Sequence, residues 1–202
     1  INIASTATNS IGVYVENRST GTGTGDITID GNGNAGVANF GTFNQTGGTI
    51  DVSGKDSIGI YAKDSSSSTT ITGSTVNAKN GAVAFYANGS SGNESTITLN
   101  NVTSNIGDGG LLFFNYTGTL PGQVGKFNIL GPTTVNILSG GVAFYNRGII
   151  GSEATFLNMV NGNNLTLNMS SGSRLFVFDN PAITENLSSI PSLGGVPSIS
   201  NS

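Results

Sequence analysis

The chain has 202 residues, a formal net charge of -4, and only 9% charged residues, against about a quarter in ordinary globular domains. Its 31 glycines and abundant Asn, Ser and Thr make it neutral and hydrogen-bonding, while its many Val, Ile and Thr exclude disorder, which goes with few β-branched residues and high net charge. The lack of Cys and His excludes disulfides and thiolate metal sites, and seven scattered Lys and Arg do not form the basic patch that nucleic-acid binding requires.

From Ser10 onward one phrase keeps returning. It reads Ser10-Ile11-Gly12-Val13-Tyr14, Ala35-Gly36-Val37-Ala38 and Ser57-Ile58-Gly59-Ile60-Tyr61. It returns as Val83-Ala84-Phe85-Tyr86, Leu111-Leu112-Phe113-Phe114, Val142-Ala143-Phe144-Tyr145 and, more loosely, Leu175-Phe176-Val177-Phe178. With Gly12 as anchor, the equivalents are Gly36, Gly59, Ala84, Leu112, Ala143 and Phe176, at steps of 24, 23, 25, 28, 31 and 33 residues. That spacing is a solenoid period.

Between anchors lie further strands that alternate apolar with polar residues, the mark of one buried face. In chain order they are Asp26–Asp30, Gly48–Val52, Thr69–Thr72, Ser95–Leu99, Phe127–Leu130, Thr134–Ile137 and Leu165–Met169. The pairs Asn32-Gly33, Asn80-Gly81, Asn88-Gly89 and Asp108-Gly109 are turn signals. No window carries a helical period. About 25 residues with three short strands and three turns make one rung of a parallel β-helix, which must stack to bury its apolar face. The expected fold is all-β, a right-handed parallel β-helix with three sides and about seven rungs over residues 1–178. Residues 179–202, with Pro181, Pro191 and Pro197, read as a Pro/Ser/Gly-rich tail or linker.

Strict alternation places Ile11, Ile58, Val83, Leu111, Val142 and Leu175 in one inward column, and Val13, Val37, Ile60, Phe85, Phe113, Phe144 and Val177 in the next. It places Gly12, Gly36, Gly59, Ala84 and Ala143 on the opposite face, as a small-residue groove beside an aromatic ladder of Tyr14, Tyr61, Tyr86, Phe114 and Tyr145. The rungs lengthen toward the C-terminus, so Tyr116–Val124 and Arg147–Glu153 are expected as projecting loops, where function usually resides.

Several motifs have plain structural readings. Gly31-Asn32-Gly33-Asn34-Ala35-Gly36 has the spacing of a dinucleotide site but lacks the helix start that such a site needs, so it reads as a Gly-rich turn. Gly21-Thr22-Gly23-Thr24-Gly25-Asp26 is one imperfect copy of a Ca²⁺-binding repeat that works only in tandem. Asp30 and Asp51 end corresponding strands of successive rungs, close enough for a glycosidase pair, yet no His or Arg cluster accompanies them; they read as solvated strand ends. Matches to N-x-[ST], such as Asn88-Gly89-Ser90 and Asn101-Val102-Thr103, follow from composition. No catalytic, cofactor or metal residues are assigned, and the chain is not expected to be an enzyme. Ring contacts across rungs account for the aromatic ladder without a partner, and the same rings offer flat platforms to one. The candidate partner-binding residues are Tyr61, Tyr86, Phe114, Tyr116, Tyr145 and Arg147.

Asp56-Ser57-Ile58-Gly59-Ile60-Tyr61-Ala62, followed by strands of the form Thr-apolar-Thr-polar, resembles the passengers of fusobacterial type V autotransporters, the large outer-membrane adhesins of the RadD kind. The resemblance covers residues 9–178. It implies export through the outer membrane by a C-terminal β-barrel outside this sequence, and attachment to host cells or other bacteria through protein or glycan receptors. It offers no catalytic motif. No apolar run approaches the ~18–20 residues of a membrane span and no signal peptide is visible. The start at Ile1, already inside the pattern, reads as a cut from a longer chain. The expected function is an adhesin segment, the alternatives being a spacer that carries a distal binding domain or a carbohydrate-active β-helix enzyme. Low charge and a surface of Asn, Thr and Ser suit neutral partners such as glycans.

Overall fold

A computed structural model describes residues 1–63, 67–88, 95–117, 125–148, 160–161, 164–178 and 198–201. The described strands, in chain order, begin with β1 (Asn2–Ile3), β2 (Ile11–Val15), β3 (Thr20–Gly23) and β4 (Ile27–Ile29). Next come β5 (Ala35–Asn39), β6 (Thr42–Thr46), β7 (Thr49–Val52), β8 (Ile58–Lys63), β9 (Ser68–Thr72) and β10 (Thr75–Ala78). They continue as β11 (Val83–Asn88), β12 (Thr96–Asn100), β13 (Thr103–Ile106), β14 (Leu111–Thr117), β15 (Lys126–Ile129) and β16 (Thr133–Ile137). The last are β17 (Val142–Gly148), β18 (Val160–Asn161), β19 (Leu165–Met169), β20 (Arg174–Phe178) and β21 (Ser198–Asn201).

Through β20 every third strand pairs in parallel, and β21 pairs with β19, which makes a three-sided β-solenoid. The anchor sheet is β2-β5-β8-β11-β14-β17-β20, the second sheet is β3-β6-β9-β12-β15-β18, and the third is β1-β4-β7-β10-β13-β16-β19-β21. Among the described residues five turns, from β2 to β16, carry all three strands at three residues or more, fewer than the seven expected. The sequence also misses β3, β6, β10 and β13, which hold at most two apolar residues each: Thr-Val-Asn-Ala and Thr-Ser-Asn-Ile form strands because the rungs on either side supply the ladder. Ser198–Asn201, in the segment expected as tail, pairs with β19 through Thr166↔Ser198 and Leu167↔Ile199. Residues 118–124 and 149–153, most of the expected loops, lie outside the described residues, as do 179–197.

The core runs along the solenoid axis. The second sheet contributes Phe43, Ile97 and Phe127, and the third contributes Ile27, Ile50, Val76 and Val135, all buried. Strict alternation fails in the anchor sheet. Ala84, Leu112 and Ala143 are buried in the core together with their immediate successors Phe85, Phe113 and Phe144. The strand bends at the anchor, and pairing passes from Val83↔Leu111 to Phe85↔Phe113 over the anchor residue. The small residues therefore face inward, and the described residues of this sheet form no outward small-residue groove. The Ile11 column is mixed: Val83 and Val142 are buried, Ile58 and Leu111 half-buried, and Ile11, on the first strand of the sheet, 51% exposed. The last rung also shifts by one, because Val142 pairs with Arg174 and Phe144 with Phe176. The anchor there is Leu175, and the final step is one residue shorter than the sequence reading has it.

Close approach dictates the small anchors. A Cβ on Gly36 would lie 2.7 Å from the Gly59 carbonyl oxygen, 2.8 Å from Ile29 Cδ1 and 2.9 Å from Ile27 Cγ2. Later rungs exchange volume between the same two places. In register with Ile27 and Ile50 come Val76, Ser104 and Val135, while the anchors run Gly36, Gly59, Ala84, Leu112, Ala143. The largest anchor thus shares its rung with Ser104, the smallest residue of the Ile27 column. The Ser104 hydroxyl is buried without a hydrogen-bond partner among the described residues, so size outweighs polarity at that point, as close-packed interiors demand.

The corner between the third and anchor sheets is a stack of tight turns. At Lys79-Asn80-Gly81-Ala82 the Ala82 N–H donates to the Lys79 carbonyl, and Asn80 and Gly81 take φ of 56° and 78°. These angles belong to a type I′ turn, which Asn-Gly adopts at little cost. The Asn80 N–H then donates to Asp108 of the next turn and the Asp108 N–H to Ser139, so the corners hydrogen-bond rung to rung as the strands do.

The volume exchange makes a coupled prediction. Leu112→Ala should cost about 2–5 kcal/mol, the range for buried Leu truncation. In that background Ser104→Val should recover part of the loss. Urea denaturation of the two single variants and the double variant would check this, and strict additivity would show that the two positions do not share space.

Candidate functional site

The outer face of the anchor sheet carries the aromatic column. Tyr61, Tyr86, Phe114 and Tyr145 occupy equivalent positions on β8, β11, β14 and β17. The Tyr61 and Tyr86 rings stack with centroids 4.8 Å apart, Tyr86 meets Phe114 edge-on at 4.8 Å, and Phe114 stacks on Tyr145 at 5.5 Å. Each ring is half-buried. Tyr14 stands apart, because the equivalent residue on β5 is Ala38; it leans on Phe40 at 5.2 Å instead, with Lys63 Nζ 6.0 Å from the Phe40 centroid. At the far end the column passes to Val177. Two residues along, Tyr116 and Arg147 are Cα partners in the same ladder. The six predicted residues thus fall into two adjacent columns of one sheet.

The third sheet carries a second column that the sequence reading passes over. Its outward positions read Thr28, Asp51, Asn77, Asn105, Asn136 and Asn168 in register. Asn77 Nδ2 donates to Asp51 Oδ1. Asn105 Nδ2 donates to Asn77 Oδ1 at 2.8 Å, Asn136 to Asn105 at 2.8 Å and Asn168 to Asn136 at 2.9 Å. A carboxylate only accepts, so Asp51 obliges Asn77 to present its NH₂, and each later amide must follow the same sense. Two residues before, Thr49, Thr75, Thr103, Thr134 and Thr166 form a parallel column. The signal was present as Thr-x-Asn or Thr-x-Asp once per rung, but it is visible only after the rungs are aligned on this sheet rather than on the anchor.

A groove of about 650 Å³ runs beside the amide column. Asp51, Asn77 and Asn105 line its floor, and Asp30, Lys79 and Leu138, from the stacked corner, line its wall. The register here corrects the carboxylate pairing. Asp51 stands opposite Thr28, while Asp30 is two residues farther along, where the Ser53 hydroxyl donates to it at 2.6 Å. Asp30 and Asp51 share the groove without being stacked equivalents, and both are already hydrogen-bonded. Of the other motifs, Gly31–Asn34 form a turn that leads into β5, which Ala35 and Gly36 begin, and Gly21–Gly23 lies within β3.

Comparison of the chain with protein-family models, with curated proteins and with solved structures finds no match.

The one-way amide column has a pH-dependent consequence. Asn105→Asp would leave Asn77 between two carboxylates, and its single NH₂ can face only one of them. Whichever way the amide turns, an oxygen meets an oxygen until a proton settles on one carboxyl. The neutral acid is favoured, so the introduced carboxyl has a raised folded pKa. The variant's stability relative to wild type should therefore be largely kept below about pH 4, the unfolded value, and lost as pH rises through the folded one. The loss should reach about 1–3 kcal/mol, the cost of an unpaired polar contact. Urea midpoints of both proteins from pH 3.5 to 8 would check this, and a pH-independent difference would rule out a fixed ladder sense.

Proposed function

We propose that the chain is a segment of a cell-surface adhesin, exported to the outer membrane, which attaches the cell to host cells or to other bacteria through a protein or glycan receptor. The observation that carries this reading is the in-register column of Tyr61, Tyr86, Phe114 and Tyr145 on the outer face of a rigid solenoid. Rings held by their neighbours lose little freedom on contact with a partner, and aromatic residues and Arg supply most binding hot spots. Tyr116 and Arg147 pair two residues along the same strands. The low charge fits a neutral receptor surface.

The alternative is a spacer that carries a binding domain away from the cell, favoured by the three continuous ladders, which make a stiff column. The third reading, a carbohydrate-active enzyme, rested on Asp30 and Asp51 at corresponding strand ends, and that placement is replaced by Thr28↔Asp51.

One comparison separates attachment from spacing. Purified protein is applied to a glycan array and to host-cell and bacterial surfaces, beside a Tyr61→Ser/Phe114→Ser variant and a version with residues 118–124 shortened, each checked by thermal melting. Specific binding by the wild type, weakened at least about tenfold, or about 1.4 kcal/mol, in a variant that still folds, is the expected result. No binding by the wild type would leave the spacer.

A further inference from the structure

The groove on the third sheet lies away from the aromatic column, and its chemistry is specific enough to name a ligand class. We infer that it binds an extended, neutral, β-linked glycan chain lying parallel to the solenoid axis, about one sugar residue per rung.

The amide column sets the period. Each amide inside the ladder spends one N–H and one oxygen lone pair on its neighbours, and an amide has a second of each. At Asn77 and Asn105 the floor therefore offers one donor and one acceptor per rung, about 4.8 Å apart, and Asp51 on the rung before adds an acceptor. A sugar hydroxyl is itself both donor and acceptor, so a polyhydroxylated chain answers this array whichever way each hydroxyl turns. One pyranose residue of an extended β-linked chain is close to one rung in length. A peptide strand rises about 3.3 Å per residue and repeats its facing side chains every second residue, which falls out of step with the rungs.

The wall selects further. Among the described residues, Asp30, Asp51 and Asp108 share the groove with one cation, Lys79, a balance that repels polyanions. Two of these carboxylates already accept hydrogen bonds from Ser53 and Asn77, which lowers their appetite for a polycation. Leu138, 45% exposed, gives an apolar surface on which the C–H face of a sugar ring can rest. The volume of about 650 Å³ lies within the range of about 300–1,000 Å³ for small-ligand sites. From Thr28 to Leu138 the lining residues cross five rungs, a span of about 19 Å at the rung spacing, enough for about four sugar residues. The straight path suits β-1,4-linked chains, which are extended, since a coiled chain, whether α-linked or β-1,3-linked, would leave the axis.

This inference goes beyond the attachment reading and does not depend on the aromatic rings. It is tested by titration calorimetry on the intact chain with cello-, N-acetylchito- and β-1,4-manno-oligosaccharides of two to six residues, with oligolysine and a polyuronate as charged probes. For at least one neutral series, affinity should rise with length to about four residues and then level off. Leu138→Asp should weaken that binding at least about tenfold without changing the melting temperature, and Tyr61→Ser/Phe114→Ser should leave it unchanged. Absence of binding by all three hexaoses, affinity independent of length, insensitivity to Leu138→Asp, or tighter binding of oligolysine than of any hexaose would each overturn the proposal. Hexaose binding without cell attachment would retire the adhesin reading and leave the groove. Cell attachment without hexaose binding would do the reverse.

Discussion

The constraint on which the rest depends is that every side chain stands beside its own equivalent, about 4.8 Å away on the next rung. A rung has no other way to close its apolar face, so each position must tolerate a neighbour of its own kind or a chosen substitute. Two like charges at that distance repel by roughly 1 kcal/mol in water and about 3–4 kcal/mol at an effective dielectric near 20. The 9% charge of the chain is what this geometry permits. Lys63 pairs with Asn88, Lys126 with Thr96 and Arg174 with Val142; in each pair the charge stands beside a neutral residue. Residues that satisfy themselves when stacked are favoured instead. Aromatic rings stack, and Asn, with donor and acceptor on one amide, repeats without limit. Asp cannot, which is why Asp51 sits at the end of its ladder.

The same constraint explains what the sequence made legible. The period, the parallel strands and the aromatic column all follow from a recurring phrase with large residues at fixed offsets. The inward and outward assignment at the anchor did not follow, because it assumed a straight strand. Gly36 and Ala84 look like surface residues by parity, and only the bend at the anchor turns them and the following Val37 and Phe85 inward together. The slip at the last rung has a related cause. Leu175-Phe176-Val177-Phe178 is apolar throughout, so pattern alone cannot choose a register, and the pairing of Phe144 with Phe176 settles it. Strands such as Thr103–Ile106 escaped because their stability is borrowed: one apolar residue in four suffices when both neighbours are already in place.

Packing and display are coupled through this arrangement. Because bulk passes between the anchor and the facing third sheet, from Gly36 with Ile27 to Leu112 with Ser104, the core stays filled while the sequence drifts. A filled core keeps both sheets in register, and register holds the outer columns in line. The aromatic column and the amide column are therefore consequences of interior volume conservation as much as of their own contacts. A core vacancy at one rung would be felt on both faces at that height.

The two faces differ in a way that bears on recognition. On the anchor sheet successive contacts vary, stacked then edge-on then stacked, so the surface has local features at particular rungs. On the third sheet the amides all point one way from Asp51, so that surface is periodic and directional. A periodic surface gains most from a ligand with the same period, since each rung adds a small contact to one already positioned, and the effective concentration of the next contact is set by the chain that links them. No single rung needs a strong site. A ligand without that period engages one rung and gains nothing from the others, so the spacing of the solenoid itself acts as the filter.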